Sequence, residues 1–328
     1  MYLDERGERV TDPETLARIR GLVIPPAWTD VWICPVPVGH LQAVGTDAAG
    51  RKQFLYHPRW RARRDQQKFD RMLEFAGTLP RVREVTREHL AEPGLTRNRV
   101  LACATRLLDR GFFRIGSEAY AGSNGTFGLA TMRCRHVRLG PDGLVEFEYL
   151  SKGRKERVQS VVDAEVHDVV ARLKRRRGDP ELLAYRRGKR WADLRSDDIN
   201  AYIKDIAGEE YSAKDFRTWH GTVMAATALA VAAPMARSRT AARRTMSWAV
   251  RDVARYLGNT PAVCRASYID PRVFDRFRSG WTIAGVLNEL GTDRYDEPEL
   301  QGIIEEAVID LIRGDDSSSA VHRVDRVA

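Results

Sequence analysis

The pattern of apolar and polar positions separates a β-rich start of the chain from a helical remainder. Before about residue 70 the apolar runs are short and interrupted by proline and glycine, as in VWICPVPVG and GHLQAVGTDAAGRKQFLYHP. Within the second run, GTDAAGRK predicts a hairpin turn between two strands. We therefore predict a small, mostly β domain over residues 1–70.

Helical periodicity dominates from residue 71 onward. The segment RNRVLACATRLLDRG has an apolar stripe that ends at Gly111, and TAARRTMSWAVRDVARYLG has another that ends at Gly258. Ser212, followed by Asp215, predicts a capped helix start, and Thr260 predicts a second N-cap. The run VMAATALAVAA is apolar all round, which predicts a buried helix.

A β segment interrupts these helices. TMRCRHVRLG, LVEFEYLS and RKERVQSV alternate apolar and polar residues and are separated by turn signals, which predicts a three-stranded antiparallel meander. The expected fold class is α+β, with a small, mostly β N-terminal domain (1–70) that ends in a basic linker. A larger, mostly α domain (71–313) contains the meander, and the polar residues 314–328 are expected to form a disordered tail.

Composition excludes several classes of protein. With 43% apolar residues in a chain of 328, disorder is excluded, and four cysteines without a C-x-x-C motif exclude a disulfide scaffold or a zinc ribbon. We expect four buried, reduced thiols. No apolar run reaches the ~20 residues that span a bilayer, and the start MYLDERGERV has no apolar signal core. These features predict a cytoplasmic protein without membrane contact.

Charge is distributed unevenly along the chain. The net charge is +9, but residues 51–71 carry +6 and residues 172–190 carry +7, whereas residues 289–316 carry −8. Phe54, Tyr56 and Trp60 are interleaved with the first basic cluster. This combination favours nucleic acid as the partner, since phosphates attract such clusters and bases stack on aromatic rings. A solvated basic face without a partner is the alternative.

Motifs for nucleotide and metal chemistry are absent from the sequence. It contains no G-x-x-x-x-G-K-[ST], no G-x-G-x-x-G after a strand, no H-E-x-x-H and no D-x-D. His57, His136 and His220 are scattered, and we assign none of them as a ligand. We therefore expect no cofactor, no nucleotide and no metal site.

Several basic and polar residues fall at the ends of predicted elements, where a ligand could reach them. Lys214 and Arg217 lie three apart near the start of a helix, whose N-terminal N–H groups also suit an anion. Each such residue alone is a weak signal. The set comprises Arg114 in FFRIG, Lys152 in YLSKGRK, Lys214 and Arg217 in KDFRTWHG, and Asn259 and Tyr268 in GNTPAVCRASY.

Taken together and in this order, these segments resemble the catalytic domain of type IB DNA topoisomerases of the compact poxvirus and bacterial kind. The opening IPPAWTDVWICP and GRKQFLYHP are similar to the N-terminal domain of the bacterial members, so the resemblance covers nearly the whole chain. It implies the fold shared by tyrosine recombinases and type IB topoisomerases. It also implies relaxation of supercoiled duplex DNA, by a monomer associated with the nucleoid, without ATP or an obligatory metal.

The resemblance assigns a role to each residue of the set. It implies that Tyr268 is the nucleophile, which forms a 3′-phosphotyrosyl intermediate before strand rotation and religation. Arg114 and Arg217 would bind the scissile phosphate, and Lys152 would be the general acid. Asn259 stands where the poxvirus enzymes have histidine, so a pH dependence resting on that histidine should be missing.

The resemblance also indicates where duplex DNA binds. The β domain and the helical domain would close around the duplex as a clamp, with linker residues Arg63 and Arg64 facing phosphates. Gln53 and Tyr56 would approach the major groove, where they could read bases. The other expected DNA contacts are Arg51, Lys52 and Lys214.

Two alternatives remain open at this point. A tyrosine recombinase shares the chemistry, although such enzymes usually have H-x-x-R where this chain has Lys214 to Arg217, and their N-terminal domains are helical. An architectural DNA-binding protein would use the basic clusters alone, without catalysis. The change Tyr268→Phe separates the enzymes from the binding protein, since it should abolish covalent DNA adducts and leave binding nearly intact.

Overall fold

A computed structural model describes residues 1–290 and 300–324 of the chain. The chain divides into two compact units, Met1–Arg71 and Met72–Ala328. Helices and small antiparallel sheets make up both units, which confirms the α+β class.

The first unit is built around a three-stranded antiparallel sheet. Its elements are α1 (Pro13–Gly21), β1 (Thr29–Ile33), β2 (Leu41–Thr46), β3 (Lys52–Tyr56) and the first residues of α2 (Pro58–Leu90). The sheet order is β1-β2-β3. The Asp47 carboxylate accepts the backbone N–H groups of Ala49 and Arg51, which explains the tight turn between β2 and β3.

The expected basic linker is helical. Arg63 and Arg64 lie in the first turns of α2, and both are exposed. This segment begins with Pro58 and consists mainly of arginine, glutamine, lysine and other good helix formers, which is why it continues the helix rather than forming a loop.

The second unit consists of helices around short sheets. After α2 the helices are α3 (Arg97–Gly111), α4 (Glu118–Asn124), α5 (Ala164–Lys174), α6 (Ser196–Ala207), α7 (Ala213–Ala232), α8 (Arg239–Leu257), α9 (Pro261–Ser267), α10 (Pro271–Arg278), α11 (Ala284–Leu290) and α12 (Gln301–Arg313). The strands are β4 (Val137–Leu139), β5 (Leu144–Ser151), β6 (Lys155–Val162), β7 (Ala184–Arg187), β8 (Arg190–Asp193), β9 (Trp281–Thr282) and β10 (His322–Arg323). Strands β4, β5 and β6 pair in that order, so the predicted meander is confirmed.

Helix α7 lies at the centre of this unit and packs against α3, α8, α10, α11 and α12. Phe216 and Trp219 on its N-terminal half are fully buried. The prediction that the run VMAATALAVAA is buried on all sides is wrong in part, since Val231 near its end is 47% exposed. No helix in the described part of the chain is both long enough and apolar enough to cross a membrane.

The segment after α12 differs from the expected disordered tail. His322 and Arg323 form β10 and pair with Thr282 and Trp281 of β9, and Val321 is buried. One apolar side chain and a short strand pairing thus fix a segment that composition alone marks as polar. Residues 325–328, and residues 291–299 of the acidic region, lie outside the described residues.

Candidate active site

Two arginines from distant parts of the chain meet at the C-terminal end of α8. Arg217 Nη2 donates to the carbonyl of Leu257 at 2.8 Å, and Arg114 Nη2 donates to the carbonyl of Gly258 at 3.0 Å. The last carbonyls of a helix lack intrahelical partners, and this end of the helix dipole is negative. The helix end therefore binds and orients both guanidinium groups.

Arg217 is deeply buried and keeps one donor for a ligand. It lies in the second turn of α7, is 4% exposed, and donates through Nη1 to the carbonyl of Phe112 at 2.5 Å. Its Nε is buried and has no hydrogen-bond partner within the described ranges. Burial and the charge of Arg114 lower the pKa of Arg217 to about 10, although Tyr268 opposes the shift. The guanidinium stays protonated at neutral pH, so it offers a charged donor to an anion.

The carbonyl that binds Arg217 comes from a residue with left-handed backbone. The prediction that α3 ends at Gly111 is confirmed, but the left-handed residue that follows is Phe112, with φ 56°. Gly111 lies inside α3, where a Cβ would lie 2.2 Å from the Phe113 ring. Left-handed backbone costs a residue such as Phe112 about 1 to 3 kcal/mol. The Phe112 ring packs edge-on against His220 at 5.3 Å between centroids, which helps to hold this conformation.

Asn259 uses one end of its amide for Arg114 and leaves the other end unpaired. Its Oδ1 accepts a hydrogen bond from Arg114 Nη2, while its buried Nδ2 has no partner among the residues that the structure describes. Burial lowers the pKa of Arg114, and Tyr268 acts in the opposite direction. Asn259 Nδ2 and Arg217 Nε are thus two buried hydrogen-bond donors of this cluster, and neither has an acceptor among the described residues.

Tyr268 lies beside these donors. It is the C-cap of α9, it is half-buried, and its ring centroid is 5.3 Å from Arg217 Cζ. Gly221 of α7 permits this approach, since a Cβ there would lie 2.5 Å from the Tyr268 carbonyl oxygen. The Thr222 hydroxyl oxygen lies 3.4 Å from the same carbonyl oxygen and accepts from the Asp270 N–H at 3.1 Å. Helix α7 therefore fixes the tyrosine backbone one turn beyond Arg217.

Lys152 and Lys214 are not brought to this cluster. Lys152 lies in the turn between β5 and β6, and Lys214 lies in the first turn of α7; both are exposed. In residues 1–290 and 300–324, neither lysine forms a hydrogen bond or ion pair with a residue of the cluster, which consists of Arg114, Arg217, Asn259 and Tyr268.

The N-terminus of α7 is occupied by the chain's own groups. The predicted capping box is confirmed, with Ser212 N–H and Oγ both donating to Asp215 Oδ2. The Ala213 N–H donates to Asn200 Oδ1 at 3.1 Å. The Ala213 N–H is therefore not available to an anion, and anion binding by the other N–H groups of this helix end stays a prediction.

A third arginine, Arg157, lies at the end of α8, and no motif of the sequence singles it out. Arg157 on β6 donates through Nη1 to the carbonyl of Arg255 at 3.0 Å and through Nη2 to that of Tyr256 at 2.5 Å. Strand register places it opposite Tyr149 of β5. Burial raises the pKa of Tyr149, while Arg157 and Arg217 act to lower it. To identify Arg157, one needs the strand register of the meander and the position of α8 beside it, and the sequence alone gives neither.

In the first unit, Gln53 and Tyr56 lie on opposite faces of the sheet. Gln53 Nε2 donates to Asp47 Oδ2, which also pairs with Arg51. Phe54 and Tyr56 stack on the other face, at 6.2 Å between centroids. Because side chains alternate along a strand, the two side chains cannot act from one face of the sheet, and their approach to the major groove stays a prediction.

Trp60 continues this aromatic face. It stacks on Tyr56 at 4.3 Å between centroids, and the Arg64 guanidinium lies 5.7 Å from its ring centroid. Trp32 of β1 is 49% exposed. In the sequence, Phe54 and Trp60 are distinguished only as aromatic residues interleaved with the first basic cluster, and neither is among the predicted site residues.

None of the described side chains forms a group of three or more histidine, cysteine, aspartate or glutamate residues that could hold a metal ion. The four cysteines are free and buried, as predicted. The cations of the site are instead arginine side chains.

Comparison with known protein families shows which family the chain belongs to. Residues 57–279 match the family described as the catalytic core of eukaryotic DNA topoisomerase I. The chain belongs to the type IB DNA topoisomerases. Residues 1–47 match the N-terminal domain of bacterial DNA topoisomerase IB.

A curated relative agrees with this assignment. The chain is 28% identical over 275 residues to DNA topoisomerase 1B of Acanthamoeba polyphaga mimivirus, a match that covers 82% of this chain and 81% of the relative. Type IB topoisomerases are isomerases that cleave and rejoin DNA. The predicted family is therefore confirmed, and neither the recombinase nor the architectural protein is needed to explain the chain.

Proposed function

We propose that the cluster at the end of α8 is the strand-cleaving centre with which this type IB topoisomerase relaxes supercoiled duplex DNA. The observation that carries the proposal is the pair of buried, unpaired donors, Arg217 Nε and Asn259 Nδ2, beside the Tyr268 ring. Such donors are costly to bury without an acceptor. Phosphate oxygens are acceptors for such donors, and this supports binding of the scissile phosphate beside the tyrosine.

The reaction needs a nucleophile, charge stabilisation and an acid. The Tyr268 oxygen attacks the scissile phosphorus, a P–O bond to tyrosine forms, and the bond to the 5′ oxygen breaks. The phenolic proton leaves to water, and the 5′ oxygen takes up a proton. Because the phosphotyrosine conserves the energy of the broken ester, the 5′ hydroxyl reseals the strand after rotation without ATP.

Arg114 and Arg217 stabilise the negative charge that develops on the non-bridging oxygens. Guanidinium groups are planar, remain charged and can donate in a bidentate manner. A preorganised donor of this kind typically contributes about 10² to 10³ in rate. These fixed cations supply the role that a metal has in other enzymes, so we expect relaxation in the presence of a chelator.

Lys152 is proposed as the general acid that protonates the 5′ oxygen. It lies in the exposed turn between β5 and β6, next to Gly153 with φ 80°. A lysine at such a turn can approach the leaving oxygen once DNA is bound. This step requires movement of the turn toward the cluster.

The first unit is proposed to contribute DNA contacts through its aromatic face and the exposed arginines of α2. Tyr56, Arg63 and Arg64 lie on or beside this face, whereas Gln53 is held by Asp47 on the other side. Arg51, Lys52 and Lys214 are proposed as phosphate contacts. The enzyme would act as a monomer in the cytoplasm, in association with the nucleoid.

A covalent trapping experiment tests the proposal. The protein is incubated with a suicide duplex, in which the short cleaved strand that carries the 5′ hydroxyl dissociates. The reaction contains EDTA and no ATP, and the covalent adducts are separated on a denaturing gel and mapped to a residue. The wild type should form an adduct at Tyr268, and Tyr268→Phe should form none while binding the same DNA with similar affinity. An adduct at another residue, or relaxation of plasmid by Tyr268→Phe, would overturn the assignment.

A further inference from the structure

Arg157 shares the helix end that holds the two proposed phosphate-binding arginines. Its two hydrogen bonds go to the carbonyls of Arg255 and Tyr256. The next two carbonyls along the chain accept from Arg217 and Arg114. Four consecutive carbonyls therefore bind three guanidinium groups from three separate elements.

Two of these groups converge beside Gly258. A Cβ on this residue would lie 3.0 Å from Arg157 Nη1 and 3.4 Å from Arg114 Nη1. Both nitrogens thus lie within 3.4 Å of one point, in space that only a glycine leaves open. The backbone of Gly258, with φ 64°, favours glycine for a second reason.

The positive charge of Arg157 affects the ionisation of neighbouring residues in the cluster. It opposes protonation of Arg217 and of Arg114, and it favours ionisation of Tyr149. Tyr149 is itself braced, since its hydroxyl donates to Gln159 Oε1 at 2.5 Å. Three cations this close repel one another, and both the negative end of α8 and a bound anion reduce that repulsion.

We propose that Arg157 is a third phosphate-binding guanidinium of the cleavage site. A guanidinium has five N–H donors, and the carbonyls of Arg255 and Tyr256 engage two of those on Arg157. Arg157 Nη1 lies near the same point beside Gly258 as Arg114 Nη1, and the remaining donors of Arg157 bind a non-bridging oxygen of the scissile phosphodiester. With the neutral Asn259 in the cluster, Arg157 restores a third positive charge. This inference rests on the proposed function.

Arg157 could instead serve only to cap α8, and conservative variants separate the two roles. Glutamine can donate to helix carbonyls but has no charge, whereas lysine keeps the charge with fewer donors. We expect Arg157→Ala and Arg157→Gln to lower the single-turnover cleavage rate about 10²-fold, and Arg157→Lys to lower it by clearly less. If Arg157→Gln cleaves within about threefold of the wild type, the residue is a cap and the proposal is wrong.

Neutral phosphate analogues locate the contact. Cleavage is measured on the phosphodiester and on the two methylphosphonate diastereomers, each of which replaces one non-bridging oxygen by a methyl group. The loss caused by Arg157→Ala should largely disappear on one diastereomer, the one that lacks the oxygen bound by Arg157. An equal loss on all three substrates would overturn the proposal.

A binding measurement keeps this test independent of cleavage. In a Tyr268→Phe background, the slope of log affinity against log salt should fall by about 0.9 when Arg157 is replaced by alanine, as expected for one lost phosphate contact. An unchanged slope contradicts the inference. If the wild type forms no adduct, the proposed function fails, while the slope still reports on Arg157.

Arg138→Ala is the matched control. Arg138 lies on β4 of the same meander, is exposed and pairs with Glu148 at 2.7 Å. It should leave both the cleavage rate and the salt slope at the wild-type values. A loss as large as that of Arg157→Ala would show that any arginine of this sheet matters equally, which would also overturn the proposal.

Discussion

Arg217 and Arg114 donate to the carbonyls of adjacent residues, Leu257 and Gly258, at the end of one helix. Their guanidinium groups are therefore oriented before DNA binds. A donor that is already in place costs no reorganisation when charge develops on the phosphate. This relationship makes both arginines sensitive to the same few backbone atoms, and it leads to the first prediction.

Replacing Arg217 should damage cleavage even when the charge is kept. Lysine cannot reach the carbonyls of Phe112 and Leu257 and also donate to a phosphate as a planar group does. We expect Arg217→Lys to reduce the single-turnover cleavage rate by about 10² to 10³, and Arg217→Ala to reduce it at least as much. A Lys variant with near wild-type cleavage would show that geometry is unimportant here.

The role of Lys152 is tested through the leaving group. A sulfur atom in place of the 5′ bridging oxygen leaves readily without protonation, because thiols are far more acidic than alcohols. We expect Lys152→Ala to cleave an ordinary substrate about 10² to 10⁴ times more slowly and to cleave the sulfur substrate at nearly the wild-type rate. Equal defects on both substrates would exclude Lys152 as the general acid, while Arg217→Ala should stay defective on both.

Asn259 should support cleavage without a histidine-like pH dependence. Its Oδ1 accepts from Arg114 and its Nδ2 is unpaired, so Asn259→Asp keeps the acceptor but places a negative charge against the incoming phosphate. We expect Asn259→Asp to cleave more slowly than Asn259→Ala. The pH profile of the wild-type cleavage rate should show no transition near the ordinary histidine pKa of about 6.5, and Asn259→His should introduce one. A wild-type transition there would contradict the role given to the amide.

Gly221→Ala should displace Tyr268, the proposed nucleophile. The added Cβ would lie 2.5 Å from the Tyr268 carbonyl oxygen and 3.2 Å from the Tyr268 Cβ, so the tyrosine backbone has to shift. We expect a cleavage rate reduced by about 10² with DNA affinity retained. Gly77→Ala in α2 is the control, because nothing lies within 4 Å of its added Cβ. That variant should cleave normally and gain up to about 1 kcal/mol of stability.

A buried ion-pair network should make stability depend on pH. Arg83 binds both oxygens of Asp109 and both oxygens of Glu305, and the two acids are 4% and 5% exposed. Burial disfavours the Asp109 carboxylate, but Arg83 and His220 together outweigh it and hold the pKa of Asp109 below its usual range. Its stabilising contribution is therefore present above the usual aspartate pKa and is lost as the pH falls below it.

Arg83→Met should lower the free energy of unfolding by about 3 to 5 kcal/mol at pH 7, because two buried carboxylates lose their partner. The difference from the wild type should shrink at pH 5, where Asp109 of the variant can take up a proton. Urea unfolding at the two pH values measures this. A difference that is the same at both pH values, or smaller than about 1 kcal/mol at pH 7, would refute the role of the network.

Local sequence signals predicted local structure well. Ser212 and Thr260 cap helices, and Gly258 ends α8, because each of these features depends on a few neighbouring residues. The meander followed from alternation and turn residues in the same way. The order of the segments also identified the family, since that information is present in the chain itself.

Features that depend on distant residues could not be predicted. Arg157 and Arg255 are 98 positions apart, so their contact is invisible to periodicity. The left-handed Phe112 was missed because glycine is the usual residue at such a position, and here Gly111 is needed for packing instead. The opposite orientation of Gln53 and Tyr56 requires the register of β3. The roles of Lys152 and the DNA-contacting residues stay predictions.

Three arginine side chains bind to one turn of backbone, so a disturbance of that turn affects all three together. The carbonyl oxygens of residues 255–258 each accept from one of these arginines, so fraying of this turn would remove a hydrogen bond from every guanidinium at once. A small cationic compound seated on those oxygens would have the same effect. Such a compound would inhibit the enzyme without occupying the space of the tyrosine or of the DNA bases.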